Sequence, residues 1–164
     1  MRSAVLSGMK GKEVDLLSEI INRSNWWAKK SEKAASQIYT EIAKCIIRSR
    51  DAEAIETAIQ LAAKAEVGTS FALLTGFRES AFKRSQGKWI LDGKQIVLNK
   101  KVEALNDLLA SPDEERAVLA KELYKAFSWP GKAELKKVSP ELVALTSEQQ
   151  ARFDTGRDLY AISC

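Results

Sequence analysis

The sequence predicts an all-α fold, an α-solenoid of stacked helix pairs, on two observations. Apolar residues recur with a period of 3.6 in successive segments of the first 130 residues. In addition, AVLSGMK at 4–10 aligns position by position with ALLTGFR at 72–78, with identical Ala, Leu and Gly. Self-similarity within consecutive helices is typical of helical repeats. Chance similarity between two amphipathic helices is the alternative.

Composition bounds the class of protein. The 164 residues are 45% hydrophobic and 29% charged, which is typical of one globular domain with a real core. A net charge of +4 is too small to require an acidic partner. No run reaches the roughly 18 apolar residues of a membrane span. The first residues also lack a signal peptide, so the chain as given is expected in the cytoplasm.

The first half of the chain predicts four amphipathic helices. The first two span 12–23 and 26–47. The third begins after Asp51 and ends at Gly68, and the fourth is capped by Thr69 or Ser70. Their predicted inward side chains are Val14, Leu17, Ile21, Ile38, Ile42, Ile46, Ile55, Ala58, Ile59, Ala62, Phe71, Leu74 and Phe77.

A small β-hairpin is predicted near 88–98. The runs KWIL and KQIVL flank Asp92-Gly93, and Asp-Gly between apolar runs indicates a type I′ turn. A lone hairpin is marginally stable, so this one would pack on the helices through Trp89, Ile96 and Leu98. An ordered loop between helices is the alternative.

Two further helices follow. Asn99 is the predicted N-cap of the first, and Ser111, with Pro112 in the first turn, that of the second. Their inward residues are Val102, Leu105, Leu108, Leu109, Val118, Leu119, Leu123, Tyr124 and Phe127. Pro130-Gly131 ends the second helix. The predicted organisation is a helical repeat domain at 1–130, a linker at 131–145 and a single terminal helix at 146–164.

No enzyme site is predicted. The chain has no histidine, the side chain used most often for acid–base catalysis at neutral pH. Acidic clusters such as Asp51, Glu53 and Glu56 are expected in first turns or on solvated faces. Cys45 is expected to be a small buried hydrophobe. Two cysteines without metal-ligand spacing, in a chain without histidine, also argue against a transition-metal site.

Binding of a macromolecule is one function that the sequence allows. Trp26 and Trp27 precede several lysines, and Lys83, Arg84 and Lys88 surround Trp89. Basic residues interleaved with aromatic ones can contact phosphates and stack on bases. However, the positive charges are scattered among 22 acidic residues. A protein-binding scaffold is therefore favoured over nucleic-acid binding.

The terminal stretch TSEQQARFDTGRDLYAISC predicts a capped helix with one distinctive face. Thr146 and Gln149 form a capping box. Gly156, Tyr160 and Cys164 fall at i, i+4 and i+8, which places them on one side. A glycine there allows another helix to approach closely, and the tyrosine ring can pack beside that crossing.

This G-x-x-x-Y-x-x-x-C pattern resembles the first helix of c-type cytochromes, where the cysteine opens a C-x-x-C-H motif. The resemblance implies that Cys164 is the first haem thioether cysteine. It also implies that Gly156 and Tyr160 pack against another helix beside the haem. The second cysteine and the ligand histidine are missing, so haem c is expected in a full-length parent and not in this fragment alone.

The order of the parts is similar to one stretch of large exported bacterial haem-binding-domain or membrane-bound-dehydrogenase proteins. The matching runs are AVLSGMKGKEVDLL, FALLTGFR, LASPDEERAVLAKEL and the segment from SPELVAL to the end. Those proteins join a propeller-type dehydrogenase-like domain, HEAT-like helical repeats and a cytochrome c domain. The resemblance implies a scaffold or spacer in an electron-transfer protein. Its partners would be the other domains of the same polypeptide, and the parent would be periplasmic or exported.

Overall fold

A computed structural model of the chain describes residues 11–23 and 32–132, called here the helical body, together with Gln150 and Arg152. Within these residues there are six helices and four short strands. The helices are α1 (Glu13–Asn22), α2 (Glu32–Ser49), α3 (Ala52–Lys64), α4 (Val67–Ala81), α5 (Ala104–Leu109) and α6 (Glu114–Ala126). The strands are β1 (Phe82–Ser85), β2 (Lys88–Leu91), β3 (Ile96–Val97) and β4 (Phe127–Ser128). The prediction of a mainly helical chain is confirmed.

The helices of the body contact one another in two rows. In one row, α4 lies between α2 and α6 and packs on both; in the other, α3 contacts both α1 and α5. Hydrogen bonds fix the direction of α2 and α4, because the Thr40 hydroxyl donates to the Ala72 carbonyl and the Ser80 hydroxyl to that of Lys44. Later residues of one helix therefore meet later residues of the other. The two helices run parallel.

Gly76 allows α2 and α4 to approach backbone to backbone. A Cβ atom at this position would lie 2.4 Å from the carbonyl oxygen of Thr40 and 2.7 Å from the Cβ of Ala43. Neither neighbour is the end of a flexible side chain, so neither can move aside cheaply. This is the close approach for which a helix uses glycine.

One hydrophobic core runs through the helical body, from α1 to Trp129 just after β4. Its largest fully buried side chains are Phe77, Phe127, Leu17, Ile42, Ile46, Ile47, Ile55, Ile59, Leu73, Leu74, Ile96 and Leu98. Most predicted inward residues of the helices belong to it. Two predictions are wrong: Phe71 is 37% exposed and Val118 is 51% exposed. Both line the same surface cleft between α4 and α6.

The helix starts were predicted with mixed success. Asp51 caps α3 as expected, since its carboxylate accepts from the backbone N–H of Glu53 and Ala54 at 3.0 and 3.2 Å. For α6 the cap is Asp113, which accepts from the Arg116 N–H at 2.8 Å, and not Ser111. The hydroxyl of Ser111 instead accepts from the backbone N–H of Asp113, just before the first residue of α6.

Gly68 does not separate two helices. The break between α3 and α4 lies earlier, at Ala65 and Glu66, and Gly68 belongs to the first turn of α4. It lacks the positive φ that makes glycine a helix terminator. Ser70, predicted as a cap, is fully buried within α4. Asn99 is no cap either, because α5 begins only at Ala104.

A hairpin is present, but at a different place from the predicted one. β1 pairs antiparallel with β2, from Phe82 opposite Leu91 to Ser85 opposite Lys88. The two-residue turn is Gln86-Gly87, with φ values of 48° and 77°. Positive φ at both central residues is what a type I′ turn requires. Asp92-Gly93 follows the hairpin, and β3 pairs parallel with β4.

Several predictions fall outside the described residues. They are the N-terminal copy of the repeated stretch at 4–10, the linker after Lys132, and the terminal helix apart from the helical Gln150 and Arg152. The chain divides into two compact units at 1–132 and 133–164. Among the helices that the structure describes, none is long and apolar enough to cross a membrane.

The contact at Gly76 predicts opposite effects for two glycine substitutions in α4. Gly76→Ala should lower the free energy of unfolding by about 1–3 kcal/mol, because the added methyl group has no room. Gly68→Ala is the matched control, since its new methyl group meets nothing within 4 Å. It should raise stability by up to about 1 kcal/mol through helix propensity.

Urea unfolding followed by circular dichroism measures both free energies. If Gly76→Ala were as stable as Gly68→Ala, the close packing of α4 on α2 would be refuted.

Candidate functional site

The residues that the sequence assigned to a haem site are not among those described. Gly156, Tyr160 and Cys164 all lie in the second unit, outside the described residues, so the structure gives no geometry for them. Within the described ranges, no group of three or more His, Cys, Asp or Glu side chains could hold a metal ion. The other features of interest are the thiol of Cys45, the buried carboxylate of Glu56, the basic hairpin, the lysine Lys132 between two aromatic rings, and an acidic surface.

The thiol of Cys45 is unreactive in character. Cys45 lies half-buried on α2 and forms no disulfide. Burial raises the pKa of its thiol; the charges of Glu13 and Glu41 act in the same direction and that of Arg48 opposes them. The protonated form therefore dominates at neutral pH, and a protonated thiol is a poor nucleophile.

Glu56 is a buried carboxylate that joins α3 to the segment before α5. The side chain is 6% exposed. Its Oε1 accepts from the backbone N–H of Asn99 at 2.6 Å and from that of Lys100 at 3.2 Å. The expectation of a solvated carboxylate is therefore wrong for Glu56. Its two bonds are charge-assisted, which makes them stronger than ordinary amide bonds, and its role is structural.

The basic hairpin is less suited to bases than its composition suggests. Arg84 lies directly opposite Trp89 across the strands, while Lys83 and Lys88 are exposed. However, the Arg78 guanidinium sits 4.6 Å from the centre of the Trp89 ring. One face of the indole is thus covered by a cation–π contact within the chain. A base could stack only on the other face.

Lys132 closes the end of α6. Its ammonium lies 4.1 Å from the ring centre of Tyr124 and 4.4 Å from that of Trp129. It also donates hydrogen bonds to the carbonyls of Tyr124 and Phe127, which the end of the helix leaves free. Burial lowers the pKa of Lys132. This arrangement anchors the end of the helical body to α6.

An exposed, acidic surface lies along the first turns of α2, α4 and α6. It contains two clefts that share Phe71. One, of about 350 Å³, is also lined by Glu32, Tyr39 and Glu66. The other, of about 380 Å³, is lined by Arg78, Glu114, Glu115, Val118 and Leu119. We call this surface, defined by Phe71, Val118 and these four glutamates, the Phe71 face.

Electrostatics at the Phe71 face are negative. Burial raises the pKa of the Tyr39 phenol; a hydrogen bond with Thr69 opposes this and the Glu66 charge adds to it. The cation in the second cleft, Arg78, is already engaged by Glu122 at 3.5 Å and by the Trp89 ring. The surface can therefore bind cationic groups but brings together no groups for acid–base or nucleophilic catalysis.

No protein-family model, curated protein or solved structure matches this chain.

The buried carboxylate predicts a marked loss of stability when its acceptor is removed. Glu56→Ala should lower the free energy of unfolding by about 1.5–3 kcal/mol, because the backbone N–H groups of Asn99 and Lys100 lose a charged partner. Glu56→Gln should lose less, since its amide oxygen still accepts. Gln60→Ala, at an exposed position of the same helix, is the control and should change stability by less than about 0.5 kcal/mol.

Thermal and urea unfolding of the three variants test this. Equal stabilities for Glu56→Ala and Gln60→Ala would show that Glu56 does not hold the segment before α5.

Proposed function

We propose that the helical body is a HEAT-like scaffold made of the helix pairs α1–α2, α3–α4 and α5–α6. The observation that carries this proposal is the position of α4, between α2 and α6 in one row while α3 contacts α1 and α5 in the other. Each pair thus adds one helix to each row, and neighbouring pairs share a continuous core. Stacking of this kind gives a helical repeat its rigidity.

The spacing of contacts supports the repeat. Thr40 and Ala72 are 32 positions apart and Lys44 and Ser80 are 36 apart, which gives the offset between α2 and α4. The two similar stretches at 4–10 and 72–78 are 68 positions apart, about twice that offset. The period is shorter than the roughly 40–47 residues of HEAT repeats. The hairpin and β3 lengthen the connection between the second and third pairs.

We further propose that this scaffold is a spacer in an electron-transfer protein with a c-type cytochrome domain. The observation favouring it is the pattern of Gly156, Tyr160 and Cys164 in the last helix predicted from sequence. The chain itself has no histidine, so its residues do not complete a haem site. The missing cysteine and the axial histidine must come from residues after Cys164, and no electron-transfer step is assigned to this chain.

In this proposal the other domains of the same exported polypeptide are the partners. The scaffold would hold the cytochrome domain at a fixed distance from an electron donor such as a dehydrogenase-like propeller. The alternative is a scaffold that binds separate proteins. Nucleic-acid binding is disfavoured, because the Arg78 contact occupies one face of Trp89.

A rigid scaffold predicts a single distance between its ends. Spin labels on Asp15→Cys in α1 and Lys121→Cys in α6, both exposed positions, should give one narrow distance distribution in pulsed electron paramagnetic resonance (double electron–electron resonance). Cys45→Ala and Cys164→Ser would remove the native thiols. Two labels within α2, at Lys33→Cys and Arg48→Cys, provide the reference width for one helix. A much broader distribution between α1 and α6 would exclude a rigid spacer.

The haem proposal makes a separate prediction. The coding sequence should continue after Cys164 with two free positions, then Cys and His. The extended chain, exported in bacteria with cytochrome c maturation enzymes, should then carry covalent haem, detected by its absorption spectrum and by mass spectrometry. Cys164→Ser should lose one thioether, whereas Cys45→Ser should retain both. A different continuation, or haem-free protein, would remove electron transfer and leave the scaffold.

A further inference from the structure

The Phe71 face combines exposed apolar side chains that lie next to one another. Phe71 and Val118 line the same cleft, at 37% and 51% exposure. Val67, one helical turn before Phe71 on α4, is 52% exposed. Single exposed hydrophobic residues are common on proteins, but adjacent ones beside a concave surface are typical of interaction sites. The clefts on either side of Phe71 offer two places for apolar side chains.

The charge of the face is opposite to that of the whole chain. The chain carries +4, yet four glutamates surround the apolar residues. In the helical body none of Glu32, Glu66, Glu114 and Glu115 forms a salt bridge. Their location in first turns is favourable for the helix dipoles, which explains acidic residues there. It does not neutralise them, so they remain available to cations of a partner.

We propose that the Phe71 face binds a basic amphipathic helix of another protein. Its apolar side chains would enter the two clefts beside Phe71, and its lysines or arginines would pair with the four glutamates. This is the helix-in-groove mode of recognition, in which apolar anchors supply affinity and flanking charges orient the ligand.

Charge complementarity selects this cationic occupant over polyanionic ones. A negative surface repels the phosphates of nucleic acids. It equally repels the anionic lipids that attract peripheral proteins to membranes. The inference goes beyond the proposed function, because it concerns a separate protein and holds whether or not a haem domain follows Cys164.

The test uses the full chain and a fluorescent synthetic helix of leucine and lysine, compared with its leucine–glutamate twin by fluorescence anisotropy. The lysine peptide should bind and the glutamate peptide should not. Phe71→Ala should weaken binding by at least about tenfold, as expected for a central aromatic anchor. The double substitution Glu114→Gln and Glu115→Gln should weaken it as well and reduce its dependence on salt.

Matched controls lie elsewhere on the surface. Ile90→Ala and Val97→Ala remove apolar side chains that are 48% and 67% exposed on β2 and β3, and should leave affinity unchanged. Circular dichroism verifies that each variant is folded. If Phe71→Ala proved unfolded, Val118→Ala would test the same cleft.

Three results would overturn the proposal. The first is equal binding of the two peptides, or none, and the second is unchanged affinity of the folded Phe71→Ala or Val118→Ala variant. The third is a wild-type dimer in sedimentation that Phe71→Ala dissociates, which would make a second copy of this chain the occupant of the face.

Discussion

The contact of α4 with α2 at Gly76 is the constraint on which the rest of the helical body depends. Because Gly76 has no side chain, the carbonyl oxygen of Thr40 can lie only 2.4 Å from the point that a Cβ atom would occupy. Thr40 reinforces the contact, since its hydroxyl is within hydrogen-bond distance of the carbonyls of both Ser36 and Ala72. The close approach sets the register and direction of the two helices. α4 in turn packs on α6, and the hairpin continues directly from the end of α4.

A second constraint holds the other row. Glu56 on α3 binds the backbone before α5, and Arg50 donates to the Lys94 carbonyl at 3.1 Å. Gln95 donates to the Lys125 carbonyl at 2.8 Å, so the long connection between α4 and α5 is attached at several points. The hairpin is attached as well, through the contact of Arg78 with Trp89. The connection can therefore be long without separating the second helix pair from the third.

The sequence was most informative where one residue acts on its own neighbours. Asp51 caps α3 because a carboxylate at that position always meets the free N–H groups of the first turn. The hairpin was misplaced because two Xaa-Gly pairs occur close together, and the choice between Gln86-Gly87 and Asp92-Gly93 depends on which flanking segments pair. Glu56 was missed for a similar reason. Its partners Asn99 and Lys100 are distant in the sequence, and no local signal marks a buried carboxylate.

The candidate sites also divide into those marked by a local sequence pattern and those formed by residues from distant parts of the chain. Gly156, Tyr160 and Cys164 form a local pattern that the sequence alone reveals, yet they lie outside the described residues and remain a prediction. The Phe71 face was invisible to sequence patterns because its glutamates come from three helices. Helical periodicity even assigned Phe71 and Val118 to the core. Periodicity locates the apolar side of one helix, but it does not tell how far the neighbouring helix extends over it.

The parallel pairing of β3 with β4 has a mechanical consequence. The chain leaves the helical body through β4, Trp129 and Lys132, and Lys132 is attached to the end of α6 by two hydrogen bonds. Tension applied to the chain beyond Lys132 therefore loads these bonds and the β3–β4 pair before it reaches any helix. A pull strong enough to detach β4 would then withdraw the fully buried Phe127 from the core, so this short segment links the load on the tail to the stability of the body.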